Sequence, residues 1–241
     1  MPTLPEILAQ LQFLTQESAL LGLFITAGII LTVRDWRTLI LTLLIQYILV
    51  GLILSRLVRP DIAALKVMIG AFICPILFLS ARQVSVSLSG LPLLAEKRSV
   101  WDRGYLSEWW QNFSFGSLIK GRDRRRSPAA TSFTFRVVVV LLMILVAITL
   151  SNTFALPDLS TDVTTAVYWL VLAGLVTLTL TEDPMRVGHG LFTALTGFDL
   201  FYTTLEKSLL IIGLWGAVNL LLALAIGYLT VAKGAGLEEE L

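Results

Sequence analysis

The chain has 241 residues, of which 56% are apolar and only 15% charged, with a net charge of +1 and a mean hydropathy of +0.83. Water-soluble domains run at about 25% charged and about 45–50% apolar, so a soluble globular domain is excluded. One cysteine, Cys74, and one histidine, His189, exclude a disulfide framework and a Cys- or His-rich metal centre, which leaves an all-α integral membrane protein.

A membrane-spanning helix takes roughly 20 apolar residues. Seven segments qualify, at about 14–33, 38–58, 62–80, 136–152, 163–181, 187–205 and 208–231. None alternates as the strands of an outer-membrane barrel would. The first is expected to be a span and not a signal peptide, because Glu6 and Glu17 precede or enter it and no basic residue comes before Arg34. It carries small residues at helical spacing, Ser18, Gly22 and Thr26, which predict close helix packing. The second segment holds Gln46 near its middle, a polar group that cannot titrate. In the third, Pro75 predicts a kink, and Lys66 is expected to snorkel outward to the interface.

Residues 81–135 form the one long extramembrane stretch. Counting Arg136, ten basic residues face Glu96, Asp102, Glu108 and Asp123, a net of +6. Trp101, Tyr105, Trp109 and Phe113 recur every four residues, and Trp110 adds to the same side. This predicts an amphipathic helix in the cytoplasmic interface, with rings at headgroup depth and basic residues near anionic headgroups. The alternative is that these aromatics dock a partner subunit. Ser99 and Asp102 resemble a capping box at its start. Basic clusters beside a membrane usually serve topology, so no nucleic-acid partner is expected.

Lys and Arg accumulate in cytoplasmic loops. With the N-terminus outside, fourteen of the eighteen basic residues fall on the cytoplasmic side, and the outer loop 153–162 has none. The expected topology is therefore seven spans, N-out and C-in, in the plasma (inner) membrane. Segments one to three and five to seven each read as helix, short polar turn, helix, turn, helix. They predict two parallel three-helix units, 1–80 and 163–241, joined by the loop 81–135 and a linking span with its outer loop, 136–162.

The last unit contains the most informative polar residues. Asp199 lies deep in the sixth segment, where a lone carboxylate is costly and is a functional candidate by default; the plainer reading is a hydrogen bond that glues helices together. Asn219 lies in the next, antiparallel segment, offset from Asp199 by roughly 7.5 Å in depth, a gap that a bridging water could close. Glu206, seven residues from Asp199, and His189, ten residues from it, are candidate outer and inner points of a proton path, and each also reads as an ordinary interfacial residue. Thr193 with Gly197, and Ala223 with Gly227, predict two further tight packing stripes, while Trp215 between Gly213 and Gly216 is expected to fill a groove.

The stretch LAGLVTLTLTEDPMRVGHGLFTALTGFDLFYTTL (172–205), followed by LLIIGLWGAVNLLLALAIGYL (209–229), resembles the small three-helix K-type subunit of complex I and the C subunit of Mrp cation/proton antiporters. The resemblance covers about 60 residues. It implies N-out, C-in topology and a membrane acid on the second helix, which GFD (197–199) would supply as Asp199. The complex I branch carries a second acid on the third helix, where AVN (217–219) has Asn219. It also implies large membrane subunits as partners and a lateral chain of charged groups for proton translocation. Gln46 would sit near the equivalent first site of the other triplet.

The expectation is a non-catalytic membrane subunit of a larger proton- or cation-translocating or redox-linked complex, without cofactor or metal of its own. Two alternatives stand beside it: a structural or assembly scaffold with no ion path, and a self-contained transporter or channel. An enzyme is not expected, since one His and no second buried acid assemble no catalytic set.

Overall fold

The computed structural model describes residues 16–33, 35–89, 133–181 and 183–239. Among them are seven α-helices and no strand: α1 (Gln16–Thr32), α2 (Trp36–Leu57), α3 (Pro60–Ser89), α4 (Phe133–Thr153), α5 (Thr161–Thr179), α6 (Pro184–Leu205) and α7 (Leu209–Glu239). The aromatic and basic stretch that holds Trp101, Tyr105, Trp109, Trp110 and Phe113 lies outside the described residues.

Short polar turns set the helix starts. Asp35 caps α2, its Oδ2 accepting from the Thr38 amide at 3.1 Å and the Thr38 hydroxyl at 2.7 Å. Pro184 opens α6, where a missing amide hydrogen is no loss. The helix α3 continues through Pro75 to Ser89, well past residue 80, because ARQVSVSLS is less apolar but still helix-compatible.

The helices form two rows of three. In one, α1, α2 and α3 pack in chain order; in the other, α5, α6 and α7 do the same. The rows then meet helix against counterpart: α1 on α5, α2 on α6 and α3 on α7, while α4 lies outside α5 and α1. Two arginines fix the sense of the stacking. Arg136 at the start of α4 donates to the Leu31 carbonyl at 3.4 Å, and Arg186 at the start of α6 donates to the Val33 carbonyl at 3.0 Å. Both satisfy carbonyls that the end of α1 leaves open, where positive charge is also favoured. The end of α1 and the starts of α2, α4 and α6 therefore share one side, the Arg186 face. The α2–α3 and α6–α7 turns share the other, the Lys207 face.

Backbones approach most closely between α5 and α6. A Cβ added at Gly174 would collide with the Ala194 amide nitrogen and lie 2.6 Å from the Gly190 carbonyl oxygen; one at Gly197 would lie 2.8 Å from the Leu170 Cβ. Such contacts gain dispersion energy that lipid tails cannot outcompete. Elsewhere Trp169, fully buried, stacks on Phe24 at 5.7 Å and donates its indole N–H to the Phe24 carbonyl, joining α5 to α1.

Five of the helices (α2, α3, α4, α5 and α7) are long and apolar enough to cross a membrane. Outward-facing leucines such as Leu141, Leu145, Leu210, Leu214 and Leu221 are all more than half exposed, a surface stable only in lipid or against other membrane helices. The protein is thus a multi-pass membrane protein, all-helical among the described residues. The apolar stretch of α1 is shorter, and α6 carries Arg186, His189, Asp199 and four threonines. This polar helix is the middle one of its row, and neighbouring helices screen it from lipid.

The glycine contacts make a direct prediction. Gly174→Ala should lower the thermal unfolding midpoint in detergent, with an overpacking cost of about 1–3 kcal/mol. Gly28→Ala, where nothing lies within 4 Å of the added methyl, should leave the midpoint unchanged or raise it, since alanine favours helix by up to about 1 kcal/mol.

Candidate functional site

Asp199 is buried, and it is not alone. The Lys66 ammonium reaches its Oδ2 at 3.0 Å, and the two side chains are 2% and 3% exposed. This overturns the expected outward snorkelling of Lys66: its stem stays inside because a carboxylate within hydrogen-bond reach outweighs the pull of the interface. The Trp215 indole N–H donates to Oδ1, and the Asn219 amide approaches Oδ2 at 3.5 Å. One carboxylate is therefore held by donors from α3 and α7 while it is itself carried by α6.

Helix geometry explains the convergence. Lys66 is about 9 Å in from the start of α3, Trp215 about 9 Å in from the start of α7, and Asp199 about 9 Å from the end of α6. All three lie at one depth below the Lys207 face. Asn219 is four residues deeper, yet side chains lean toward the N-terminus of their own helix. Since α6 and α7 run in opposite senses, Asp199 and Asn219 lean toward each other. The expected axial offset closes to a direct contact of 3.5 Å.

The energetics require this company. Each ion taken out of water costs several kcal/mol even after relaxation, and the pair recovers that cost only with good geometry and further hydrogen bonds. The indole and the amide provide them. Phe198, Tyr202 and Trp215, with centroids 5.6–6.3 Å apart, form an aromatic cluster on the flank of the carboxylate.

The remaining sequence candidates divide. His189 and Gln46 are fully buried but lie deeper, toward the Arg186 face, and make no direct contact with the charge pair. Glu206 ends α6 at the opposite face, where its carboxylate accepts from the Ser208 amide at 2.8 Å as a turn-capping group. Gly22 packs on Leu49, Gly197 on α5 and Gly227 on Ser80, and Ala223 is fully buried in the core. Lys66 and Trp215 join the site although the sequence reads them as an interfacial lysine and a packing residue. The signal available for both was depth: each lies as far from its turn as Asp199 does from its own.

A cavity of ≈ 350 Å³ opens on the Lys207 face, lined by Leu57, Val58, Arg59, Ile62 and Lys207. Ile62 stands one helical turn before Lys66, on the same face of α3. Among the described residues no group of three His, Cys, Asp or Glu side chains could hold a metal ion.

No family model matches the chain, and neither a curated protein nor a solved structure matches it.

Removing one partner of the pair strands a buried charge. Lys66→Met alone should lower stability by about 3–5 kcal/mol, and the joint Lys66→Met/Asp199→Asn variant should recover most of that loss. Unfolding of both single variants and the double variant in detergent measures this, and a double-variant loss equal to the sum of the two single losses would show that Lys66 and Asp199 are not energetically coupled.

Proposed function

We propose that the chain is a non-catalytic membrane subunit of a larger proton-translocating or redox-linked complex, with Asp199 and Lys66 as its proton-handling pair. The observation that carries this reading is the buried ion pair itself, formed between the two helical rows. Ionisable residues inside a membrane protein are rare and commonly mark ion pathways. The similarity of 172–229 to K-type and Mrp C subunits points the same way, as does the position of Asp199 within GFD (197–199).

The chemistry of the surroundings favours a proton over a metal cation. The atoms directed at Asp199 are N–H donors from Lys66, Trp215 and Asn219. A sodium ion needs oxygen ligands and would be repelled by the neighbouring ammonium, whereas a proton can pass between a carboxylate and an amine. In this reading all seven helices cross the inner membrane, N-out and C-in, and the loop between α3 and α4 faces the cytoplasm. The cavity under Lys207 then lies on the outer side, one helical turn of α3 from Lys66. Large membrane subunits are the proposed partners.

One observation favours the scaffold alternative: each carboxylate oxygen is engaged by an N–H donor from another helix, as it would be in a fixed interhelical clamp. Transport separates the two. In membranes containing the native complex, Lys66→Met/Asp199→Asn should cut proton translocation at least tenfold while a native gel shows the complex assembled. Normal translocation by the assembled double variant would leave only the scaffold role. Proton or cation flux by the purified chain alone in liposomes would instead identify a self-contained transporter.

A further inference from the structure

The seam between α2 and α6 holds more hydrogen-bonding capacity than the described residues satisfy. Gln46 is fully buried on α2, and neither its Nε2 nor its Oε1 has a partner among them. His189, fully buried on α6, donates from Nδ1 to the Met185 carbonyl at 2.7 Å. A carbonyl can only accept, so Nδ1 carries the hydrogen and Nε2 is a bare acceptor; it too has no partner among the described residues. At the other end of the seam the Asn219 Oδ1, beside Asp199, is in the same condition.

These groups are aligned. His189, Thr193, Thr196 and Asp199 succeed one another at intervals of three or four residues along one buried stripe of α6. Thr193 and Thr196 donate their hydroxyl hydrogens to the carbonyls of His189 and Phe192, which leaves their oxygens free to accept. Both α2 and α6 start on the Arg186 face. Gln46 lies about 15 Å along α2, and Thr193 and Thr196 lie about 14 and 18 Å along α6, at matching depth. Tyr47, next to Gln46, sits against Thr196 and within electrostatic reach of Asp199.

With Gln46 and His189 fully enclosed, neither lipid nor a neighbouring subunit can reach them. Water can, since a buried water is held by two to four polar partners and a chain of this size carries on the order of nine. We infer that a file of ordered waters occupies the α2–α6 seam, running from Asp199 past Thr196, Gln46 and Thr193 to Nε2 of His189. The distance along α6 is about 15 Å, which about four waters and the threonine hydroxyls bridge at hydrogen-bond spacing near 2.8 Å. The file connects the charge pair toward the Arg186 face, opposite to the cavity at Lys207. Its use as a proton route rests on the function proposed above; its existence does not.

X-ray hydroxyl-radical labelling of the full chain in its native membrane tests this, because radicals form at bound water and modify the side chains beside it. Tyr47 and His189 should be labelled at least tenfold faster, relative to their intrinsic reactivity, than the equally buried Trp169 and Leu23, which lie between α1 and α5 away from the seam. Gln46→Leu should bring both down toward the rate of those dry controls. Labelling of Tyr47 and His189 no faster than Trp169 and Leu23 would overturn the inference, as would fast labelling unchanged by Gln46→Leu. Fast, Gln46-dependent labelling together with normal translocation by Lys66→Met/Asp199→Asn would uphold the water file and reject the relay.

Discussion

The contact between the Lys66 ammonium and the Asp199 carboxylate, with the Trp215 and Asn219 donors beside it, constrains three helices at once. Neither charge could remain at its depth without the other, and neither helix could rotate by one residue without separating them. The backbones of α6 and α7 approach each other over only a short stretch. It is through α3, which packs broadly on α7, and through the Trp215 and Asn219 donors that α7 is held in register with α6. Buried ionic groups are poor general sources of stability, and fixing register is their best-attested structural use. Here the register being fixed is that between the two rows.

The row arrangement also explains why one helix can be so polar. As the central helix of its row, α6 is backed by α2 from the opposite row and flanked by α5 and α7. Its glycines let α5 approach to backbone contact, so the side that meets α5 is closed by packing alone. Hydroxyl, imidazole and carboxylate groups can then gather on an inward stripe that lipid never touches. The outward burden of apolarity falls instead on α4 and α7, whose exposed leucines are among the least covered in the molecule. Polarity inside and apolarity outside are two consequences of the same layout.

Much of this layout was legible from hydropathy. The expected segment 163–181 became Thr161–Thr179, and 38–58 became Trp36–Leu57, because apolar length and polar turns act locally. Helix α3 runs beyond the expected 62–80 because a helix may outrun its apolar stretch, as residues 81–89 do. Asp199 and Asn219 stood out as polar residues amid apolar ones. Lys66 did not, because a lysine near a helix end normally escapes to water along its flexible stem, and only the three-dimensional position of Asp199 reverses that preference. Trp215 was hidden in another way: between two glycines it reads as a packing residue, and nothing along α7 reveals that its N–H points at a carboxylate on the neighbouring helix. Pairings between rows depend on which helix faces which, and hydropathy carries no such information.

A carboxylate held by three N–H donors from two other helices is a fixed clamp unless a donor can leave. The indole and amide are short, rigid groups fixed to α7. The ammonium is different, as it ends four methylenes with rotatable bonds and is the one donor able to withdraw by side-chain motion alone. Its helix leans it toward the Lys207 face, where Ile62 and the cavity lie one turn away. Withdrawal of Lys66 in that direction would leave Asp199 with its indole and amide contacts alone. The same geometry that makes the pair a good clamp thus designates its movable member, and that member is the residue whose position sequence reasoning placed outside the membrane core.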